Sequence, residues 1–437
     1  MSIADSRDPS PAGEKRLSVI LPFHGALQVL ELTVQSLQRQ SLDPALWEIV
    51  VVDDGSGLPV GDLLRSIEGP VDTRLLSATE NVGRASARNM GAMAAKGDIL
   101  LFNDADMVIA PDAVERHHDF HQRSAGAVLL GARFETIWST LNRLKAGDTA
   151  PALSPVEFDP REWVPHESVS KTRAPWMWVY SNNISLPKSM FIDVGMFDPN
   201  FQGWGPEDLE LGYRLYVHSG RRAEIFTYDP LTYSFHIPHY ADWSRNHASM
   251  RRNTDYFLRK HGQYDIEVFS YSSEAMASHK IPIYEEMIAY FLAQRLGKVT
   301  SSILDLAPRD APLLVIGTWQ DDSPEPSAKT IRYDHSQPIT ENNKHQLGVV
   351  TLLEAGAVEA VVNIDYWRLL LPYELNKLFE ESFRVSQELI LVQTHGTADT
   401  EGLMSSCVTL DYVAEMLGHR RTVEASTIEG ADVLRIS

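Results

Sequence analysis

Apolar runs that stop abruptly at polar or glycine-rich turns set the rhythm of the first half of the chain. LSVILPF (17–23) and WEIVVVDDGS (47–56) are continuous apolar runs. Strands of a parallel sheet, covered on both faces, read this way. Between them Leu27, Leu30, Val34 and Leu37 recur at the spacing of one helix face, which predicts a helix over 26–40. TRLLSA (73–78) predicts a third strand, and NVGRASARNMGAMAAKG (81–97) a loop followed by a helix of small residues. DILLFNDADMVI (98–109) reads as a fourth strand interrupted by the polar NDAD. Strands alternating with helices predict a mainly parallel sheet with crossovers, whose ligands bind beyond the carboxyl ends of the strands. Asp53-Asp54 and Asp104-Ala105-Asp106 fall at those ends.

The rhythm breaks at 138–175, where Pro151, Pro155, Pro160, Pro165 and Pro175 punctuate a stretch with little periodicity. A long irregular segment inside a domain predicts a functional loop or a mobile one. Helical patterns return at 241–261 and 283–305. Further on, PLLVIGTW (312–319), TIRYD (330–334), VEAVVNIDYW (358–367) and ELILVQT (388–394) predict strands, with helices expected near 347–356, 373–385 and 409–418. The expected organisation is a disordered lead-in over 1–16, an α/β domain over 17–262, a helical linker over 263–308 and a smaller Rossmann-like α/β domain over 309–437.

Composition narrows the partners. The 437 residues suit two or three domains, and the net charge of −20 makes nucleic acid or an anionic membrane a poor partner. An anionic substrate would need local neutralisation by a metal or a few placed arginines. One cysteine, Cys407, excludes an internal disulfide and a cysteine-rich zinc site and fits a reducing compartment. The polar MSIADSRDPSPAGEKR carries no apolar signal core, and no run reaches the ~18 apolar residues of a membrane span, so a cytoplasmic protein is expected.

Candidate chemistry concentrates in three places. Asp104 and Asp106 alternate, so both side chains can face one ligand. Two close carboxylates repel unless a cation or proton lies between them, and hard oxygen donors suit Mg²⁺ or Mn²⁺. The structural alternative is a strand-end turn with solvated aspartates. Asp53 stands in a similar choice, between an Asp-Gly turn and an acceptor for a base or ribose. In GWGPEDLELGYRL (203–215), Glu207, Asp208 and Glu210 could simply favour a helix start, with Trp204 as packing.

The order LPF, VVDDGS, NVGRASARNMG, FNDADM and VGMFDPNFQGWGPEDLELGYRL resembles the family 2 nucleotide-sugar glycosyltransferases of the A-type fold, over residues 17–260. The last of these segments is similar to the galactosyltransferase-like C-terminal segment of that superfamily. The resemblance implies sugar transfer from a nucleoside diphosphate, with a divalent metal, Mn²⁺ or Mg²⁺, on the diphosphate. It implies that Pro22 and Phe23 border the nucleoside, Asp53 reads the base (a UDP-sugar is expected), Arg88 approaches the nucleotide and Asp104 touches ribose or metal. Asp106 would bind metal, Trp204 would pack on a sugar, Glu207 would bind sugar hydroxyls and Asp208 would be the general base. His236 would complete the metal site, with His239 as second choice. A zinc site is the weaker reading, as no HExxH or paired cysteines occur. The intact Glu-Asp pair implies inversion at the anomeric carbon, with a retaining enzyme or a non-catalytic nucleotide-sugar-binding protein as alternatives.

The segment departs from the family at PFHG, where His24 is structural or faces the nucleotide. Trp176, Trp178 and Asn182 offer either a sugar platform or core packing. The C-terminal half resembles a degenerate methyltransferase-like domain, but its glycine-rich loop is reduced to Gly317, which speaks against S-adenosylmethionine binding. A structural, acceptor-presenting or dimer-forming role is expected there. A bifunctional enzyme is a further alternative. Nothing in the sequence names the acceptor.

Overall fold

The computed structural model describes residues 16–136, 141–147, 169, 172–239, 242–308, 310–395 and 408–437. The lead-in and most of the proline-rich segment lie outside the described residues. The chain divides into two compact units, Met1–Thr254 and Asp255–Ser437.

The first unit carries strands β1 (Leu17–Phe23), β2 (Trp47–Asp53), β3 (Asp72–Ser77), β4 (Ile99–Asn103), β5 (Met107–Ile109), β6 (Val128–Glu135), β7 (Asn183–Pro187) and β8 (Phe226–His236). Its helices are α1 (Leu27–Leu37), α2 (Val60–Ser66), α3 (Arg84–Ala94), α4 (Ala113–Arg123), α5 (Leu141–Lys145), α6 (Lys188–Asp193) and α7 (Glu207–His218). Helix α8 (Trp243–His261) spans the division between the units. The sheet runs β3-β2-β1-β4-β7-β6-β8-β5. β1 to β4 pair in parallel, β7 is antiparallel to β4 and β6, and β5 is antiparallel to β8 at the far edge; β1, β2 and β4 are buried along nearly their whole length, as their unbroken apolar runs demand. Their carboxyl ends share one edge: Phe23 stands in register with Asp53.

The small residues of α3 have a packing reason. A Cβ on Gly91 would sit 2.5 Å from Ile20 Cγ2 and 3.0 Å from Val52 Cγ2, so the helix lies closer to the sheet than any larger residue permits. Two devices fix the far side of the sheet. β8 pairs in parallel with β6 and antiparallel with β5, which brings residues far apart in sequence to one corner. Behind β7, buried His117 and His121 of α4 hydrogen-bond Ser185 Oγ at 2.7 and 2.8 Å, and His117 also meets Asn183 Oδ1 at 2.9 Å. Burial pushes the His117 imidazole down to about 4.

The second unit continues with α9 (Tyr264–Tyr271), α10 (Glu274–Ala293), α11 (Ser301–Leu304), α12 (Pro372–Val385) and α13 (Leu410–Leu417). Its strands are β9 (Leu313–Ile316), β10 (Thr330–Tyr333), β11 (Asn343–Lys344), β12 (Ala360–Ile364), β13 (Glu388–Thr394), β14 (Val423–Ile428) and β15 (Ala431–Ile436). They run β11-β10-β9-β12-β13-β15-β14, parallel except that β15 is antiparallel to both neighbours.

Two expectations need correction. The stretch 263–308 is helical but is no linker, because Val299, Ile303 and Ala307 pack into one core with Leu313, Val315 and Val362. No helix forms over 347–356. There the backbone N–H groups of Leu347, Val349 and Val350 all donate to the buried Glu267 carboxylate, at 2.5, 2.7 and 2.8 Å, which replaces the intrahelical bonds a helix would make. The final hairpin, β14 and β15, escaped prediction because β14 is largely exposed and carries little apolar signal. Among the described residues no helix is long and apolar enough to cross a membrane.

Candidate active site

A cleft of about 440 Å³ opens at the carboxyl edge of the first sheet, lined by Pro22, Phe23, Asp54, Arg88, Asp104 and Asp106 among others. Pro22 and Phe23 close β1 and supply its apolar wall. Of the aspartate pair, Asp53 receives the Ser56 N–H on Oδ1 at 3.0 Å and so holds the Asp-Gly turn. The cleft wall at this level is Asp54. Its carboxylate accepts the N–H groups of Val82 and Gly83, at 2.6 and 3.0 Å, and thereby fixes the loop that starts α3. His24 also lines the cleft and meets the Asp54 carbonyl through Nδ1 at 2.7 Å.

Arg88 is the structural centre. It is fully buried, and it donates to Asp104 Oδ1 at 2.7 Å and to Glu207 Oε1 at 2.9 Å. Two carboxylates hold the buried guanidinium charged and raise its pKa further, against the burial that opposes it. One side chain of α3 thus ties the end of β4 to the start of α7. The sequence expectation had Arg88 facing a nucleotide; much of its donor capacity serves the protein's own carboxylates. The half-exposed cation of the cleft is Arg84, whose Nε lies 3.9 Å from Glu207.

Asp106 meets two histidines. His239 Nε2 lies 2.8 Å and His236 Nε2 3.4 Å from Asp106 Oδ2. One ligand atom from each of the three residues falls within a 4.8 Å cluster able to hold a metal ion. The β5–β8 ladder makes this possible, pairing Met107 with His236 and bonding Ile237 N–H to the Asp106 carbonyl at 2.8 Å. The donor set fits a divalent cation. Asp106 Oδ1 is buried without a hydrogen-bond partner, a state a carboxylate oxygen keeps at a cost unless a cation satisfies it. Burial works against ionisation at Asp106, but the hydrogen bond and charge of His236, then His239 and Arg133, hold its pKa below the usual value.

Glu135, absent from every sequence expectation, completes this corner. It stands in register with His236 across β6 and β8, and its Oε2 lies 2.7 Å from His236 Nδ1. A carboxylate there can accept a hydrogen bond from Nδ1–H, the tautomer whose Nε2 lone pair would be free for a bound metal ion. No local signal marks it, since the contact exists only through strand pairing 101 residues apart.

The turn before α7 places the acidic pair. A Cβ on Gly203 would sit 2.9 Å from Ser249 Cβ, and Gly203 has φ +85°, so only glycine lets the turn lie against α8. Glu207 is buried against Arg88. Asp208 receives the Ser181 N–H at 3.2 Å, and burial, then the neighbouring Glu207, push its carboxyl up to about 7. Asn182, beside Ser181, is buried with its Oδ1 unpartnered. Trp176 and Trp178 are wholly buried, Trp176 packing edge-on to Tyr213 at 5.5 Å, so the tryptophans form core and no sugar platform. Trp204 is half-buried at the turn.

The chain is similar to known proteins over its first half. Residues 18–184 match the family described as Glycosyl transferase family 2. The chain is 32% identical over 278 residues to a validoxylamine A glucosyltransferase of Streptomyces hygroscopicus subsp. limoneus, covering 58% of each chain. It is 26% identical over 220 residues to a hyaluronan synthase of Pasteurella multocida, covering 46% of this chain and 22% of that one. The chain therefore spans well under two thirds of the length of these relatives. Among solved structures, S. aureus TarS 1–349 in complex with UDP-GlcNAc superposes with a TM-score of 0.44 at 15% identity, over 60% of this chain and 69% of that one.

Proposed function

We propose that this chain, which belongs to glycosyl transferase family 2 through its first unit, moves a sugar from a UDP-linked donor to an acceptor hydroxyl with inversion. The observation that carries the reading is a single cleft edge where Arg88 joins two carboxylate groups of different character. On one side lies Asp104, two residues from the Asp106 cluster with its histidines; on the other lie Glu207 and Asp208. One side suits a donor diphosphate and the other suits an acceptor.

A sugar hydroxyl is a weak nucleophile at neutral pH, and a carboxylate poised near 7 is matched to taking its proton as the bond forms. Asp208 has that property and holds its place through the Ser181 N–H. Glu207, fixed by Arg88, is positioned to receive sugar hydroxyls. Asp106 with His236 and His239 would hold the divalent ion, and His236 is kept in the ligating tautomer by Glu135. A cation bound there neutralises the charge that develops on the departing diphosphate. The imidazole donors favour Mn²⁺ over Mg²⁺, because Mg²⁺ prefers an oxygen shell. Attack by a base-activated hydroxyl opposite the leaving group is an in-line displacement, hence inversion.

The test is UDP release from a panel of nucleotide sugars with Mn²⁺, Mg²⁺ or EDTA. Slow release from one donor is expected, abolished by EDTA and by Asp106→Ala. Asp208→Asn should bind UDP like the parent while transfer falls by about 10²- to 10⁴-fold. Unchanged transfer in that variant would remove Asp208 as the base.

A further inference from the structure

Helix α3 brings two arginines to the cleft, one turn apart and unlike in their state. Arg88 is buried and held by Asp104 and Glu207. Arg84 exposes 40% of its side chain. Its Nε lies 3.9 Å from Glu207 Oε1, beyond hydrogen-bond reach, and that oxygen already accepts from Arg88 at 2.9 Å. Among the described residues Arg84 makes no hydrogen bond, so its Nη1–Nη2 fork is unspent. The start of α3 adds no anion site of its own, because Val82 and Gly83 give their N–H groups to Asp54. Three carboxylates, Asp54, Asp104 and Asp106, also line the cleft. An anion entering it meets one permanently charged side chain able to turn toward it, and that side chain is Arg84.

We propose that Arg84 is the counter-charge to the β-phosphate of the donor, a second cation beside the divalent ion. This deepens the function proposed above and rests on it. In that reaction Glu207 receives sugar hydroxyls. The phosphate that bears the sugar is the β-phosphate, so a guanidinium beside Glu207 meets it before the α-phosphate. The guanidinium offers two parallel N–H donors that match two oxygens of one phosphate, and it stays charged at any working pH. As the acceptor oxygen bonds the anomeric carbon and gives its proton to Asp208, the old anomeric C–O bond breaks and its electron pair stays on the β-phosphate. The charge gathered there is shared between the ion and Arg84. Drawing Arg84 onto the phosphate also takes it from Glu207, which leaves that carboxylate to the sugar.

The experiment is calorimetric titration of UDP and of UMP into the Mn²⁺-loaded full chain, and of Mn²⁺ alone, for the parent, Arg84→Gln and Arg84→Lys. Arg84→Gln should weaken UDP binding by about 10- to 100-fold and leave the affinities for UMP and for Mn²⁺ within twofold. Arg84→Lys, which keeps the charge and loses the fork, should fall between Arg84→Gln and the parent. Equal UDP affinity in Arg84→Gln and the parent would overturn the proposal; UDP carries no sugar, so that result would move Arg84 to the sugar itself. Equal loss for UMP and UDP, or a matching loss of Mn²⁺ affinity, would overturn it as well. A parent that binds neither nucleotide with Mn²⁺ would instead overturn the function on which the proposal rests.

Discussion

In the proposed metal site Glu135 would hold the Nδ1 proton of His236 and leave Nε2 to the ion. Without its carboxylate the imidazole can rotate or change tautomer, so Glu135→Ala is expected to weaken Mn²⁺ binding by about 10- to 100-fold, measured by calorimetry with no substrate present. Glu135→Gln, which still accepts the Nδ1 proton, should lose less. Asp208 carries two consequences of its raised pKa, about 7. As a base it must be ionised, so transfer at pH 6 should run roughly tenfold below its alkaline plateau. The sign for stability is opposite. A carboxyl whose folded pKa lies above its unfolded value binds the proton more tightly when folded, so stability falls as pH rises from about 4 to about 7. Asp208→Asn should therefore raise the melting temperature at pH 8 and leave it nearly unchanged at pH 4. At this scale the sequence showed the acids well and their partners poorly. Asp104, Asp106, Glu207 and Asp208 stand out by spacing and segment. The Arg88 bridge, Glu135 and the choice of Asp54 over Asp53 as cleft wall all arise from pairings between distant segments, which leave no local mark.

Among the elements, α3 is the most tightly constrained. Arg88 and Gly91 are three residues apart and share a helix face, so the glycine that seats the helix on Ile20 and Val52 also seats the arginine. Gly91→Val is expected to destabilise the chain by about 1–3 kcal/mol through overpacking, read from the urea midpoint. It should also reduce transfer beyond the stability loss, by displacing Arg88 from Asp104 and Glu207. A midpoint equal to the parent's would show that the sheet yields there. The parallel strands β1, β2 and β4 were legible because burial on both faces writes an unbroken apolar run. The 347–356 segment was misread as a helix because its ordering agent is Glu267, a side chain some eighty residues away, and local propensity carries no trace of it.

At the scale of the whole chain, the second unit packs polar and aromatic groups of its own beyond β9 and β10. The main-chain N–H of Trp319 donates to Asp334 Oδ2 at 3.0 Å, and His335 stacks between Tyr366 and His345 at 5.5 and 5.3 Å, all in the region where the resemblance would put S-adenosylmethionine. Burial, with His345 nearby, drives the His335 imidazole down to about 3, so His335 is neutral at physiological pH. S-adenosylmethionine at millimolar concentration should produce no calorimetric heat and no thermal shift; saturable binding would reopen the bifunctional alternative. The two-unit organisation was visible from the return of alternating strands. The place of 263–308 within the second unit was not, because a helical pattern does not say which core receives its apolar face.

The pairing of β8 with β5 and β6 also sets an order in time. Asp106 is synthesised some 130 residues before His236, and the two meet only when the last strand of the first sheet has been laid beside its partners. Contacts of such sequence separation form late in folding, after the local helices and adjacent parallel strands. A chain emerging from the ribosome, or refolding from denaturant, would hold the apolar wall of the cleft before it could hold the Asp106 cluster. Acquisition of Mn²⁺ during refolding should lag behind burial of the tryptophan core, so the ion would serve as a clock for the completed domain.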